Sequence, residues 1–348
     1  MKIGLSVGYW SAGPPRNVER RLAEAEEVGV DSMWTAEAYG SDAISPLAWW
    51  GARTERLKLG TAVAQISART PTAMAMTAQT VDHLSGGRMI VGLGASGPQV
   101  VEGWYGAPYP RPLERTREYV DIMRRVWARS APVEFSGRQY RLPYSGDAGT
   151  GLGKALKSTV HPLRGDIPVY LGAEGPKNVA LAAEIADGWL PLWFSPKADE
   201  FYRAALTEGF AVPGARRTAE TFDVAGVVWT SEHDDVEVAA ARIKPVIALY
   251  AGGMGAKGAN FHNDVFVRMG WEDVCRRLQE LYLAGRKQDA IDAIPLEMVE
   301  DVALVGPADK LVDDFKNRWA GTCLTTLIVG GSPKQATLAK LVDVAAAA

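Results

Sequence analysis

The 348-residue chain combines near-average apolar and charged content with a formal charge of −3, which favours a globular protein over a disordered one. Positive and negative residues are interspersed, so no basic patch predicts binding to nucleic acid or to an anionic membrane. The N-terminus lacks the features of a secretory signal, and no stretch approaches the ~18 apolar residues of a membrane span. Two well-separated cysteines, Cys275 and Cys323, exclude a disulfide framework. We therefore expect a cytoplasmic protein that acts on a small molecule.

Extended apolar segments alternate with helical-period segments along the chain, which is typical of βαβ units. Eight strands are predicted, at Ile3–Tyr9, Ser32–Glu37, Leu57–Ile66, Met89–Ala95, Ile167–Ala173, Gly188–Trp193, Phe222–Thr230 and Thr325–Gly330. Helices are predicted between them, for example at Asn17–Val28, Thr72–Leu84, Leu113–Arg129 and Pro176–Ala186. Eight such repeats predict a closed (β/α)8 TIM barrel. An open doubly wound sheet is the alternative, but no linker divides the chain into halves.

Two stretches exceed the simple repeat, at about 131–166 and 250–306. The first is rich in Gly, Pro and Tyr, and the second joins the run GGMGAKGANFHND to a helical segment. Long insertions in a barrel are usually lids or cavity walls. We expect a single domain over 1–348 with both insertions at the C-terminal face of the strands.

The active site of a TIM barrel is built where its strands end. Glu37 follows the second predicted strand, and strand periodicity places it at the barrel mouth. One hypothesis makes Glu37 a catalytic acid or base. The other makes its carboxylate a tie between adjacent loops, with Arg69 as a possible partner.

The fourth predicted strand runs into a GxGxxG pattern from Gly92 to Gly97. A dinucleotide-binding turn would need a helix that opens at the third glycine and an acidic residue about 20 positions further on. Pro98 and an apparent loop follow instead. We interpret Gly94, Ala95, Ser96 and Gly97 as backbone that a flat ring or a polar chain can approach closely, with tight barrel packing as the alternative.

The fifth predicted strand leads through Gly175 into a helix that begins with Pro176, Lys177 and Asn178. Free N–H groups and the positive end of the helix dipole favour an anion there, and Lys177 adds a charge. This is the best candidate phosphate site in the sequence. The alternative is an ordinary loop with a solvated lysine.

The four histidines are scattered, and none has metal-ligand spacing, so no metal site is predicted. His262 lies in the second insertion and is a candidate to line a substrate cavity, as are Tyr39, Trp104 and Trp193 near predicted strand ends. Ordinary core packing is an equal explanation for the tryptophans. The chain has no GxSxG elbow or P-loop, which disfavours hydrolysis and phosphoryl transfer.

The chain resembles the luciferase-like monooxygenase superfamily over most of its length. The matching segments occur in family order: MKIGL, DSMWTAE, RLKLGTAVAQISARTP with DHLSGGR, MIVGLGASG, VEGWYGAPYPRPLERTREYVDIMRRVW and IPVYLGAEGPKNVALAAEIADGWLP. The segments SARTPTAMAM and GAPYPRPLERTREY resemble the branch that uses the deazaflavin coenzyme F420 rather than FMN. The resemblance implies a (β/α)8 barrel, commonly dimeric, that transfers hydride at the deazaflavin C5.

The resemblance also carries expectations for individual positions. The family's bulge after the third barrel strand, often with a non-prolyl cis peptide behind the cofactor ring, falls on Ala62 and Val63. The stretch Gly94–Gly97 would meet the ring and side chain of the cofactor. The residues Gly175–Asn178 would meet its phosphate, which agrees with the interpretation of the residues themselves.

One position departs from the family pattern. Many relatives have an acid followed by a proton-transferring histidine after the second strand, and here the pair is Glu37 and Ala38. Glu37, Glu102 or a histidine from an insertion would supply the proton, or the substrate needs none. The expected activity is hydride transfer between F420 and a small organic substrate. The alternatives are an FMN-dependent monooxygenase and a non-catalytic F420 carrier.

Overall fold

The computed structural model describes residues 1–10, 12–254 and 260–348. Its strands are β1 Lys2–Gly8, β2 Ser32–Thr35, β3 Lys58–Thr61, β4 Ala64–Gln65, β5 Met89–Gly94, β6 Phe135–Ser136, β7 Arg141–Leu142, β8 Val169–Gly172, β9 Gly188–Leu190, β10 Asp223–Glu232, β11 Ala303–Gly306 and β12 Thr326–Gly331. Its α-helices are α1 Val18–Glu27, α2 Ile44–Gly51, α3 Pro71–Leu84, α4 Pro98–Gly103, α5 Pro112–Ala128, α6 Pro176–Ile185, α7 Asp199–Phe210, α8 Val236–Ala241, α9 Lys244–Ile247, α10 Phe261–Arg268, α11 Glu272–Leu283, α12 Lys287–Asp292, α13 Leu296–Glu300, α14 Ala308–Asp314 and α15 Gln335–Ala347. Single π-helical turns lie at Ala248–Gly253 and Phe315–Trp319.

Eight parallel strands close into a barrel in the order β1, β2, β3, β5, β8, β9, β10 and β12, with β12 pairing back to β1. The predicted (β/α)8 TIM barrel is therefore confirmed. Helices α1, α3, α5 and α6 lie where the sequence predicts them, with ends that differ by at most one residue.

Glycines make room for a large aromatic side chain inside the barrel. Trp34 on β2 points inward and is 1% exposed. A Cβ at Gly60 would lie 2.3 Å from the Trp34 ring, and one at Gly4 would lie 2.8 Å from its Nε1. Because the neighbouring strands lack Cβ atoms at these positions, Trp34 fills the barrel interior together with Tyr170 and Leu190.

The third predicted strand differs from the continuous run Leu57–Ile66. It ends as β3 at Thr61 and resumes as β4, after a cis peptide bond between Ala62 and Val63. After the break the chain pairs with β5. The expected bulge is therefore present at the expected residues.

The insertion at 131–166 lies elsewhere than expected. It follows α5 and returns to the start of β8, and it contains the hairpin of β6 and β7. Arg164 bonds the carboxylate of Asp82 and the carbonyl of Met89 at the beginning of β5. This segment therefore lies along α5 and at the N-terminal end of the barrel. The expectation that this insertion lies at the C-terminal face was wrong. In a (β/α)8 barrel, a connection from a helix to the next strand lies at the N-terminal end of the strands.

The second insertion does cover the C-terminal end. It follows β10 and forms its own apolar core, which includes Trp193, Phe266 and Leu278. Strand β11 at its end pairs with the last residues of β10 outside the barrel. The sequence analysis assigned no strand to Ala303–Gly306. Part of the run GGMGAKGANFHND lies outside the described residues.

Candidate active site

The bulge between β3 and β4 forms one wall of the barrel mouth. Ala62 and Val63 are half-buried, and the Val63 side chain lies against the ends of β5 and β8. A Cβ at Gly94 would lie 2.5 Å from Val63 Cγ2, and a Cβ at Gly172 would lie 3.0 Å from Val63 Cγ1. The glycines at the ends of β5 and β8 thus leave space for the Val63 side chain. This side chain forms a small apolar surface at the mouth, the Val63 floor.

Glu37 lies directly behind this floor. Its Oε1 accepts hydrogen bonds from the Gln65 N–H at 2.8 Å and from Arg69 Nη1 at 2.7 Å. Its Oε2 accepts one from the Ala43 N–H at 2.9 Å. The carboxylate thus ties β2 to β4 and to α2, and Arg69 is the partner that one of the two hypotheses named. The acid–base role of Glu37 stays a prediction.

The chain after β5 lies close to the mouth. Ala95, Ser96 and Gly97 are all half-buried, and Ser96 has a positive φ of 59°. The Ser96 carbonyl accepts a 2.7 Å hydrogen bond from the Tyr109 hydroxyl, which holds the turn. A short helix, α4, begins at Pro98, where the sequence predicted a loop, and it places Glu102 and Trp104 on the exposed rim.

The turn after β8 starts a ten-residue helix without a side-chain cap. Gly175 is the N-cap, and Pro176 occupies the first turn as predicted. Lys177 is exposed and lines a shallow groove with Arg117 and Glu184 on the outer side of α5 and α6. The uncapped helix start remains a chemically suitable anion site, whereas the Lys177 side chain lies toward the outside of the barrel.

The second insertion brings a histidine to the mouth. His262, on the first turn of α10, has Nδ1 2.7 Å from Oε1 of Glu174, which follows β8. Arg268 on the same helix donates to the Glu174 carbonyl at 3.0 Å. The sequence analysis named His262 but did not single out Glu174. Glu174 directly precedes the predicted phosphate turn and follows a barrel strand. That position was the sequence signal that could have identified it as a candidate site residue.

The other predicted cavity residues separate into exposed and buried side chains. Tyr39 is 53% exposed and Trp104 is 64% exposed, so both stand at the rim. Trp193 is 1% exposed and packs against Trp229 and Phe266, with ring centroids 6.1 and 5.4 Å away. Trp193 therefore supports the insertion from beneath.

Tyrosines gather near the His262 and Glu174 pair. The rings of Tyr250 and His262 meet edge to face with centroids 4.8 Å apart. Burial raises the pKa of Tyr250, and the nearby Tyr9, Glu174 and Tyr39 raise it further. Burial likewise raises the pKa of Tyr9, with a contribution from Tyr39. These two phenols therefore stay protonated near neutral pH.

A parallel barrel with a bulged, glycine-lined mouth and an uncapped helix start beside it defines a TIM-barrel protein with a candidate ligand site at the C-terminal end of its strands. The sequence profile of the luciferase-like monooxygenase family matches residues 2–326. The chain therefore belongs to this family.

Individual relatives agree with the family match. A Mycobacterium tuberculosis protein, provisionally named a coenzyme F420-dependent oxidoreductase, is 55% identical over 336 residues, which cover 96% of each chain. A 5,10-methylenetetrahydromethanopterin reductase of Archaeoglobus fulgidus is 28% identical over 310 residues, covering 89% of this chain and 87% of the relative. The solved structure of the F420-dependent tetrahydromethanopterin reductase from Methanopyrus kandleri superposes with a TM-score of 0.77 at 24% identity, covering 98% of this chain and 96% of that one. The relatives are oxidoreductases by name, and this chain shares their fold.

Within the described residues, no helix is both long and apolar enough to cross a membrane.

Proposed function

We propose that the protein is an oxidoreductase that transfers a hydride between coenzyme F420 and a small organic substrate. The observation that carries this proposal is the Val63 floor, in which a half-buried valine of the Ala62–Val63 bulge lies over Gly94 and Gly172. A flat, apolar surface open on one side suits a planar ring system. The 55% identical relative with an F420-dependent name supports the deazaflavin as the ring.

Different residues of the mouth would bind different parts of such a cofactor. Ala62 and Val63 would support the ring from behind, and Gly94, Ala95, Ser96 and Gly97 would let the ring and its chain approach the backbone. The turn formed by Gly175, Pro176, Lys177 and Asn178 would hold the phosphate by the free backbone N–H groups of Gly175 and Lys177 and by the helix dipole. When bound, the deazaflavin supplies a carbon that donates or accepts hydride. The protein supplies position, exclusion of water and protons.

We expect the substrate to bind on the side of the mouth that the second insertion approaches. Tyr39 and Trp104 at the rim and His262 from the insertion line this side, and the buried Trp193 supports it from beneath. Aromatic walls with a few polar groups are typical of a site for a small, partly apolar molecule. We expect the active protein to be a homodimer, as is common in this family.

Cofactor identity is tested by titrating the purified protein with F420 and, separately, with FMN, while following the fluorescence of each chromophore. We expect micromolar or tighter binding of F420 and much weaker binding of FMN. A preference for FMN, together with oxygen consumption coupled to product, would instead support a monooxygenase. Binding of F420 without redox turnover on any donor or acceptor would support a carrier, and binding of neither would contradict the phosphate site at Gly175–Asn178.

A further inference from the structure

His262 and Glu174 form a hydrogen-bonded pair at the barrel mouth that the proposed cofactor site does not use. Nδ1 of His262 lies 2.7 Å from Oε1 of Glu174, and the two side chains are 13% and 9% exposed. Glu174 belongs to the loop after β8, and His262 belongs to α10. The pair therefore joins the barrel to the insertion that covers it.

Several contacts fix the orientation of the imidazole. The backbone N–H of His262 donates to Asn260 Oδ1 at 3.1 Å, and Asn260 Nδ2 in turn donates to the Tyr250 carbonyl at 2.9 Å. The ring packs against Tyr250 and Phe261 with centroids 4.8 and 4.4 Å away. A Cβ at Gly97 would lie 3.4 Å from the Phe261 ring, so the first turn of α10 sits beside the glycine-rich stretch after β5.

The pairing assigns different tasks to the two ring nitrogens. A carboxylate that accepts the Nδ1–H of a histidine fixes the tautomer and stabilises the imidazolium form, which leaves Nε2 to exchange protons. Among the hydrogen bonds between described residues, none uses Nε2 of His262. Among the described residues, this nitrogen is therefore the one left for a ligand.

The carboxylate expected to move protons is otherwise engaged. Both oxygens of Glu37 accept hydrogen bonds from the backbone, and Arg69 pairs with one of them. Ala38 occupies the position where many relatives have a histidine. A proton donor from another element would compensate for this absence, and α10 is the element that delivers a histidine to the mouth.

We propose that His262 exchanges a proton with the substrate oxygen through Nε2, and that Glu174 is its positioning residue. This inference rests on the proposed function, and it makes the substrate a carbonyl compound or the corresponding alcohol. In the reducing direction the carbonyl carbon receives the hydride, and the π electron pair of the C=O bond moves to the oxygen. The oxygen takes the proton from Nε2, the neutral imidazole regains a proton from water, and the reduced deazaflavin that gave the hydride releases its remaining proton to solvent.

The positioning by Glu174 has a spectroscopic signature. Nitrogen-15 NMR of the histidine side chains in the F420-loaded protein distinguishes a proton on Nδ1 from one on Nε2, and H262Q identifies the signals of His262. We expect Nδ1 of His262 to carry a proton in the wild-type protein and to lose part of that occupancy in E174Q. Signals of His262 that are identical in the wild-type protein and in E174Q would overturn the positioning role.

Turnover tests the proton transfer itself. The wild-type protein and its variants are given reduced F420 and a panel of ketones, aldehydes, enones and quinones, with F420 affinity measured in parallel. We expect H262Q to lower kcat about 100-fold and E174Q about tenfold with F420 affinity within threefold of wild type, magnitudes typical of general acid–base catalysis. H161Q, which changes an exposed histidine of the 131–166 insertion at the N-terminal end of the barrel, is the matched control and should turn over normally.

The outcomes separate the two proposals. A wild-type protein that does not bind F420 contradicts the proposed function. A wild-type protein that binds F420 and reduces a carbonyl compound at the same rate as H262Q contradicts the role of His262 alone. If H262Q does not fold, E174Q carries the test, since an unchanged kcat in E174Q together with unchanged NMR signals would also reject the pair.

Discussion

At the residue scale, the Glu37 carboxylate shows how a candidate catalytic group can serve as a structural tie. Three hydrogen bonds converge on its two oxygens, from the backbone of Ala43 and Gln65 and from Arg69. A buried carboxylate with this many donors holds three segments in register. The same contacts position the floor of the mouth, because the Glu37 N–H donates to the Val63 carbonyl.

The variant E37Q distinguishes the two hypotheses for Glu37. A glutamine side chain has one oxygen and one NH2 group, so its NH2 group would face at least one of these N–H donors. A buried donor that is left without an acceptor costs about 1–3 kcal/mol. We therefore expect urea denaturation to show a free energy of unfolding lower by about 2 kcal/mol, with F420 affinity within a few fold. Wild-type stability combined with a large loss of turnover would assign proton transfer to Glu37, and unchanged turnover would remove it from the mechanism. E200Q, on the exposed face of α7, is the control for the substitution itself.

At the scale of elements, the mouth depends on two strands that approach each other without side chains. Gly94 at the end of β5 and Gly172 at the end of β8 both lie against Val63. Valine has little freedom about χ1, so it cannot swing away from an added methyl group. Glycine at these strand ends is thus a packing requirement of the bulge.

The variant G94A tests this requirement. The new Cβ would lie 2.5 Å from Val63 Cγ2, so the bulge must shift. Because overpacking costs about 1–3 kcal/mol, we expect F420 affinity to fall roughly tenfold in a fluorescence titration. The matched control is G103A on α4, where a Cβ meets nothing within 4 Å. Equal affinity in G94A, G103A and wild type would show that the Val63 floor does not contact the cofactor.

At the scale of the whole molecule, Asp223 joins strands from both halves of the chain at the N-terminal end of the barrel. It accepts hydrogen bonds from the Tyr170 hydroxyl at 2.7 Å and the Thr326 hydroxyl at 2.9 Å, and also from Thr325 and Lys2. Burial alone would raise the pKa of Asp223, but Lys2 and the three hydroxyl groups outweigh it and hold this pKa below its ordinary value. The carboxylate thus helps to close the sheet between β10, β12 and β8.

This lowered pKa predicts how stability depends on pH. The contribution of the Asp223 carboxylate is fully present above the ordinary aspartate pKa of about 4, and it is lost as the pH falls through the lower folded-state pKa. We expect D223N to lower the free energy of unfolding by about 1–3 kcal/mol at pH 6, and by less at pH 3. Denaturant unfolding at both pH values measures this. A penalty that grows toward acid pH would contradict the assignment, and D343N on the exposed face of α15 is the control.

Part of the site could be predicted from sequence because its signals are local. Gly175 and Pro176 mark a helix start, and the segments that resemble the family locate the Ala62–Val63 bulge. The pairing of Glu174 with His262 is not local, since 88 residues separate the two side chains. No periodicity or spacing in the sequence indicates which loop the second insertion covers.

The sequence alone was enough to determine the barrel, because alternating strand and helix periods leave few ways to bury eight apolar strands. It also determined the family, since the matching segments follow one another in order. Only the tertiary structure decided that the insertion at 131–166 lies at the N-terminal end, that Glu37 is tied by three donors, and that Glu174 meets His262. Each of these facts depends on which distant segments pack against one another. Such contacts leave no local pattern in the sequence, because they form only when the whole chain is folded.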